Sequence, residues 1–269
     1  AWRRGGAVSG NPNMLLTPNK VLKVSELLTG LIVGGANDAA LALAENIAGK
    51  EDRFAEMMNA HARELKLTGF EFRNATGLAA EGQVATMRDL VRLAAHVIET
   101  YPEYYTIFAQ RDFPLGKGRQ VSRNPLLTMD IGADGLITGA APETGQALIG
   151  SAVQEGRRVI VGVAGLETIQ ERSLEARKML DWGFRRFEIR TLFAAETAIG
   201  EVSVYGGASG SVPVKPRLRS AATSWRSCGA NTPCLKPMSI SAFILPRPCL
   251  AASLGLETAW LLLCDATLP

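Results

Sequence analysis

The sequence predicts an α+β fold, an antiparallel sheet with a helical cluster, followed by the start of a small all-β unit. Three observations carry this expectation. Gln146–Val153 and Arg158–Val163 are short, β-branched apolar runs bounded by Pro142, Gly145, Glu155-Gly156 and Gly165, the pattern of buried strands joined by tight turns. Upstream of them, apolar residues recur at helical spacing in several segments. Beyond residue 188 the pattern changes to short strands punctuated by Gly206-Gly207 and Gly210.

Taken in order, residues 1–19 read as loop, with Gly5-Gly6, Gly10-Asn11-Pro12 and Pro18-Asn19 as breaks. Ser25 is a candidate N-cap for a helix over Glu26–Val33, stopped by Gly34-Gly35. A second helix, from Asn37-Asp38 to Ile47, is small and apolar nearly all round and reads as buried. A third spans Glu51–Leu65, with Phe54, Met58, His61 and Leu65 on one face, which makes His61 a hydrogen-bonded core histidine. The helix Met87–Thr100 opens on Thr86-x-x-Asp89, a start like a capping box, and places His96 on its polar side. A helical piece at Tyr104–Gln110 and a hairpin of Asp112–Leu115 with Arg119–Val121 follow. Gly135–Gly139, Gln146–Val153 and Arg158–Ala164 then form a three-stranded antiparallel meander. Thr168–Phe187 is an amphipathic helix packing through Ile169, Leu174, Met179, Leu180, Trp182 and Phe184. Domain boundaries are expected at 1–187, 188–214 and 215–269.

Composition bounds the function. The 269 residues are 47% hydrophobic and 20% charged, enough to bury a core, and the net charge of +3 is too small to argue for nucleic acid. There is no export signal at Ala1 and no apolar stretch long enough to span a bilayer. The chain does not begin with Met, so its start need not be the gene's start. All four cysteines (Cys228, Cys234, Cys249, Cys264) follow Lys215 and match no zinc spacing, so no metal or cofactor is expected. Past Lys215 neither strand nor helix period persists while Pro, Ser, Arg and Cys rise; this points to an aberrant or disordered tail, from a frameshift or an erroneous junction.

The candidate site centres on Asp134-Gly135-Leu136-Ile137-Thr138-Gly139. A strand ending in Thr-Gly offers a hydroxyl and lets a ligand backbone approach with no Cβ in the way. Three passages then agree. Leu27–Ile47 (LLTGLIVGGANDAALALAENI), Phe70–Leu90 (FEFRNATGLAAEGQVATMRDL) and Asp134–Phe187, with Glu175–Phe184 reading EARKMLDWGF, together resemble the serine-type D-alanyl-D-alanine carboxypeptidases, the low-molecular-mass penicillin-binding proteins. The resemblance runs from Ala1 to about Val214, and the Trp182-Gly183-Phe184 passage with its β-like sequel fits these better than the β-lactamases.

The resemblance implies a DD-peptidase/β-lactamase-like fold and a site built from S-x-x-K, S-x-N and K-T-G. In that chemistry a serine loses its proton to a neighbouring base, backbone N–H groups hold the tetrahedral intermediate, and a hydroxyl with a positive charge receives the substrate carboxylate. It also implies removal of the terminal D-Ala from peptidoglycan stem peptides, acylation of intact members by β-lactams, and a periplasmic or cell-envelope location. Membrane association is left open.

The carry-over is incomplete. No Ser in the chain has a Lys three residues on, so the nucleophile motif is missing, and the family places it upstream of Ala1-Trp2. The second motif falls on Gly35-Ala36-Asn37: Asn37 is kept as the catalytic-motif residue, and Gly35 stands where the family has Ser. Ser9-Gly10-Asn11 spells the motif but sits in a loop and is read as coincidence. The third motif falls on Ile137-Thr138-Gly139, with Ile137 for Lys. Thr138, Gly139 and the Ala140 N–H are the substrate-binding candidates, with Arg172, matching an Arg that the family often carries ahead of the last helix.

Three readings stay open: a carboxypeptidase gene product in truncated, frameshifted form; a non-catalytic descendant that binds peptidoglycan or a protein; and a degraded gene product. Without the upstream segment, the meander is expected to keep an unpaired edge and an uncovered apolar face, giving a marginal fold.

Overall fold

The structure, a computed structural model, describes residues 12–17, 19–116, 118–141, 144–205, 210–216, 220–225 and 243–246. Ser9-Gly10-Asn11, the stretches 226–242 and 247–269, and with them all four cysteines, lie outside the described residues. The described residues fall into two compact units: one runs to Arg186 and includes Phe243–Pro246, the other spans Phe187–Trp225.

Helices α1 (Val24–Gly34), α2 (Asn37–Ala48) and α3 (Glu51–Glu64) form the helical cluster. α1 starts earlier than the Ser25 cap predicts. Its N-cap is the extended Lys23, which uses no side chain; the Lys23 carbonyl accepts the Glu26 and Leu27 N–H groups at 3.1 and 3.2 Å. Ser25 sits inside the first turn, where its carbonyl accepts the Thr29 hydroxyl. The buried residues of α2 run from Asn37 to Ala42 and include Ala44, as its small apolar composition predicts. α3 departs from expectation. Its buried residues are Ala55 and Ala62, small enough to let the helix backbone close on its neighbours, while His61 is exposed and within 3.0 Å of Glu64. His61 is therefore no core histidine.

The strands β1 (Phe70–Glu71) and β2 (Val84–Ala85) pair ahead of α4 (Met87–Thr100). Only half of the capping box forms. Thr86 Oγ1 accepts the Asp89 N–H at 3.2 Å, but the Asp89 carboxylate accepts the Gly69 N–H at 2.7 Å and pairs with Arg92. The Thr86 N–H goes to the Gly69 carbonyl. His96 is half-buried, with Nδ1 3.3 Å from the Thr100 hydroxyl. Helix α5 (Pro102–Tyr105) and a 3₁₀ turn (Thr106–Ala109) lead into the hairpin β3 (Asp112–Leu115) and β4 (Gly118–Val121), then a second 3₁₀ turn at Pro125–Thr128.

The meander is as predicted: β5 (Ala133–Ala141), β6 (Gly145–Gln154) and β7 (Arg157–Leu166) pair antiparallel in sequence order. The side chains of β6 and β7 alternate between two cores, because successive residues of a strand point to opposite faces. Leu148, Val159, Val161 and Val163 join Leu126 and the Ala176, Leu180 and Phe184 face of α6 (Ile169–Arg186). Ile149 and Ile160 join Leu136, Tyr105 and the Val91, Ala94 and Ile98 face of α4. In α6, Ile169 and Leu174 are exposed and do not pack as expected; the stripe is Ala176, Leu180, Gly183 and Phe184. Leu180 has no exposed surface. Leu180→Ala is expected to cost about 2–5 kcal/mol, a lost side chain plus a cavity, read as a fall in the urea midpoint.

The meander is thus not left with an uncovered face: α4 and α6 cover its two faces. Its β7 edge is also paired, by β12 (Phe243–Pro246), giving the order β12-β7-β6-β5. In the smaller unit, β8 (Phe187–Phe193) pairs with β11 (Ser220–Trp225), and β9 (Gly200–Ser203) with β10 (Ser211–Val214). Strands therefore occur past Lys215, where the sequence showed no period. At four and six residues they are too short to display one.

A polar seam crosses the sheet at the start of β5. Arg158 Nη2 lies 2.7 Å from Asp134 Oδ2, and the Tyr105 hydroxyl donates to Asp134 at 2.8 Å. Burial works against the Arg158 cation, but Asp134 outweighs it and holds its pKa above the usual range. Burial also pushes the Tyr105 hydroxyl well above the ordinary tyrosine range.

Candidate functional site

The α1–α2 junction places the second-motif residues. Gly35 caps α1 in the left-handed region, φ 69°, donating to the Leu31 carbonyl at 2.9 Å, while Ala36 donates to the Gly30 carbonyl. A glycine suits this turn because a side chain at positive φ is strained. Asn37 opens α2, is buried, and donates its backbone N–H to the Pro12 carbonyl at 3.0 Å. Its neighbour Asp38, 1% exposed, accepts the N–H groups of Met14, Leu16 and Ala39 at 2.9, 3.0 and 2.9 Å. Residues 12–16 are thereby strapped across the start of α2.

A guanidinium occupies the space over Gly35. A Cβ built at Gly35 would come 2.9 Å from Arg123 Nη1. The Arg123 backbone is tied to the same junction, its N–H donating to the Val33 carbonyl at 3.4 Å. Arg123 also acts on Arg172. Burial first, then repulsion from the Arg123 charge, lowers the Arg172 pKa below the usual arginine value.

Arg172 lies inside the first turn of α6 rather than ahead of it, and is 6% exposed. Its Nη1 donates to Gln146 Oε1 at 2.9 Å, and Gln146 stands opposite Ala140 in the β5–β6 ladder. Its Nε is buried with no hydrogen-bond partner among the described residues. A buried donor left unmade costs about 1–3 kcal/mol, so this one is poised to receive an acceptor.

On β5, Ile137 is 44% exposed, Thr138 is half-buried, and Gly139 and Ala140 are exposed. A Cβ built at Gly139 meets nothing within 4 Å, so the backbone there is open to a ligand. β5 ends the four-stranded sheet, so its outer edge has no strand partner among the described residues. The structure thus links Gly35, Arg123, Arg172, Gln146 and the Thr138–Ala140 strand end through successive neighbours, and gives Ile137 no charge to contribute. Arg123 was missed by sequence reasoning: Ser122-Arg123-Asn124 has the S-x-N spelling, but Asn124 caps the Pro125–Thr128 turn, and only the fold brings Arg123 over Gly35. Asp38 was within reach, since a carboxylate in the first turn of a buried apolar helix demands donors.

Among the described residues no group of three or more His, Cys, Asp and Glu could hold a metal ion, and no helix is long and apolar enough to cross a membrane.

The chain resembles known proteins over most of its length. The family model for D-alanyl-D-alanine carboxypeptidase matches residues 1–168. The D-alanyl-D-alanine carboxypeptidase DacC of Escherichia coli is 36% identical over 226 residues, 80% of this chain and 56% of that protein. The Bacillus subtilis carboxypeptidase DacF is 32% identical, covering 75% of this chain and 53% of that protein. The crystal structure of penicillin binding protein 5 from Haemophilus influenzae superposes with a TM-score of 0.75 at 34% identity, covering 81% of this chain and 64% of that one. The chain spans about half the length of these curated relatives. On these matches, and on the strand and helix arrangement above, the chain belongs to the D-alanyl-D-alanine carboxypeptidase family.

Proposed function

We propose that this chain carries the substrate cleft of a D-alanyl-D-alanine carboxypeptidase and binds, without cleaving, a peptide that ends in a D-alanine carboxylate, such as a peptidoglycan stem peptide. The observation that carries the reading is Arg172: buried, held by Gln146 at the Thr138–Ala140 strand end, and with Nε unpartnered among the described residues. A carboxylate is the acceptor such a group fits, and the nearby Arg123 charge adds to its attraction.

In this reading the ligand backbone adds along the open edge of β5, beside Gly139, as an extended peptide adds to a sheet edge. Thr138 offers its hydroxyl to the terminal carboxylate, and the Ala140 N–H and the Asn37 amide offer hydrogen bonds to the peptide. Cleavage is not expected, since no Ser here has a Lys three residues on. We further propose residues 1–187 as the peptidase-like domain, 188–214 as the opening of a β domain, and the cell envelope as the place of action, where stem peptides lie.

Titration calorimetry with a peptide ending in D-Ala-D-Ala, and with its C-terminal amide, tests this. The acid is expected to bind tighter than the amide, and Arg172→Gln to weaken the acid about tenfold or more while leaving the amide unchanged, the scale of a charged hydrogen bond. Equal affinity for acid and amide in the parent chain would remove Arg172 from carboxylate recognition. Retention on purified sacculi supports the binding role; passage without retention points instead to a decayed product.

A further inference from the structure

We propose that Gln146 is a specificity-determining residue of the cleft: it fixes Arg172 through a neutral hydrogen bond, leaving the guanidinium its full charge and one open side for a ligand carboxylate. The proposal rests on the reading of Arg172 above and assigns the residue that makes this arginine select an acid.

Gln146 is presented from a rigid place. Gly145, at φ 68°, turns the chain into β6 so tightly that a Cβ there would come 2.6 Å from the Leu166 carbonyl oxygen, and only glycine suits such a turn. Gln146 is then paired on both sides, with Ala140 of β5 and Leu166 of β7. Along a strand, side chains alternate between faces, and directly opposed residues share a face. Leu148 belongs to the core under α6, and the β5–β6 register is unbroken from Leu136 to Ala141. Gln146, two residues before Leu148, and Thr138, opposite Leu148, therefore stand on the face that α6 covers and from which Arg172 approaches.

Arg172 is 6% exposed, and its side chain has one hydrogen-bond partner among the described residues: Nη1 donates to Gln146 Oε1 at 2.9 Å. A guanidinium only donates, so the amide turns its oxygen toward it. No carboxylate pairs with this cation among the described residues, and the charge that acts on it, Arg123, has the same sign. Buried charges are ordinarily paired. The neutral amide satisfies one nitrogen without neutralising the cation. On the other side of the planar group, Nε, buried and unpartnered, lies beside Nη2. These two form the side-on fork that a carboxylate meets with two parallel hydrogen bonds. An acid at position 146 would instead neutralise the cation from within.

Calorimetry on the full chain, with a peptide ending in D-Ala-D-Ala and with its C-terminal amide, compares the parent with Gln146→Met and Gln146→Glu. Met removes the acceptor, so the urea midpoint is expected to fall. Glu keeps the tie and adds a counter-charge to a buried cation, so the midpoint is expected to hold or rise. Acid binding is nevertheless expected to weaken in both by about tenfold or more, the scale of a charged hydrogen bond, with amide binding unchanged. If Gln146 merely propped the fold, binding would follow stability and the two variants would part. Parent-like acid affinity in Gln146→Glu, or an undiminished acid preference in Gln146→Met, overturns the proposal and leaves the Arg172 reading standing. A parent chain with no acid preference overturns both. A further measurement needs no variant: saturating acid peptide is expected to shift the Arg172 Nε–H signal in the NMR spectrum of the parent, and an unmoved signal overturns the side-on mode.

Discussion

Incubated with benzylpenicillin, this chain is expected to keep its intact mass. Acylation needs a hydroxyl whose proton a nearby base removes as the oxygen attacks the lactam carbonyl. Among the described residues the two buried serines are committed elsewhere: Ser151 Oγ is hydrogen-bonded to Arg158 in the polar seam, and Ser173 donates to the Ile169 carbonyl. At the strand end, Thr138 follows Ile137, which supplies no amine to act as a base. Removing a nucleophile closes the covalent route outright, whereas removing one stabilising group leaves residual rate. An adduct on any Ser, or on Thr138, would overturn the non-catalytic reading and redirect attention to how that hydroxyl is activated.

Asp38→Ala is expected to be the most damaging single change at the α1–α2 junction. The carboxylate accepts three backbone N–H groups, two of them from the strap at Met14 and Leu16. Each buried donor stranded by its loss costs about 1–3 kcal/mol, so the total is about 3 kcal/mol or more, against about 1 kcal/mol for an ordinary helix cap. Asp38→Asn keeps one acceptor oxygen and should fall between. Urea unfolding gives the size, and amide exchange gives the place: Met14 and Leu16 should lose protection first. A loss below about 1 kcal/mol, the ordinary-cap value, would mean the strap is held by other contacts.

Much of the fold was legible because periodicity reports burial. The meander, α2 and α4 were read within a residue or two from alternating or helical apolar spacing. The errors share a cause: local preference was overruled by packing. Ser25 is a good cap, yet the chain turns helical at Val24. His61 lies on the face that spacing marks as apolar, but α3 packs through the alanines at 55 and 62, and the imidazole stays in solvent. Thr86 and Asp89 formed half a box because the Gly69 N–H claimed the carboxylate. At the site, Thr138 and Gly139 were legible as a motif. Arg123 and the unpartnered nitrogen of Arg172 were not, since each acquires meaning only from residues far away in sequence. The strand at Phe243–Pro246 was invisible for the opposite reason: its partner, not its own pattern, makes it a strand.

The seat over Gly35 makes two positions mutually exclusive. A side chain at 35 and the Arg123 guanidinium claim one volume, with Nη1 2.9 Å and Cδ 3.2 Å from where a Cβ would stand. Arginine is flexible and would yield, so adding a hydroxymethyl group at 35 evicts a cation from beside Arg172. Gly35→Ser therefore carries backbone strain at φ 69° whatever occupies position 123, and a further cost whose size depends on that neighbour. Restoring the family's serine here is an epistatic move in which a hydroxyl is gained as a charge is displaced, and neither substitution can be scored without the other.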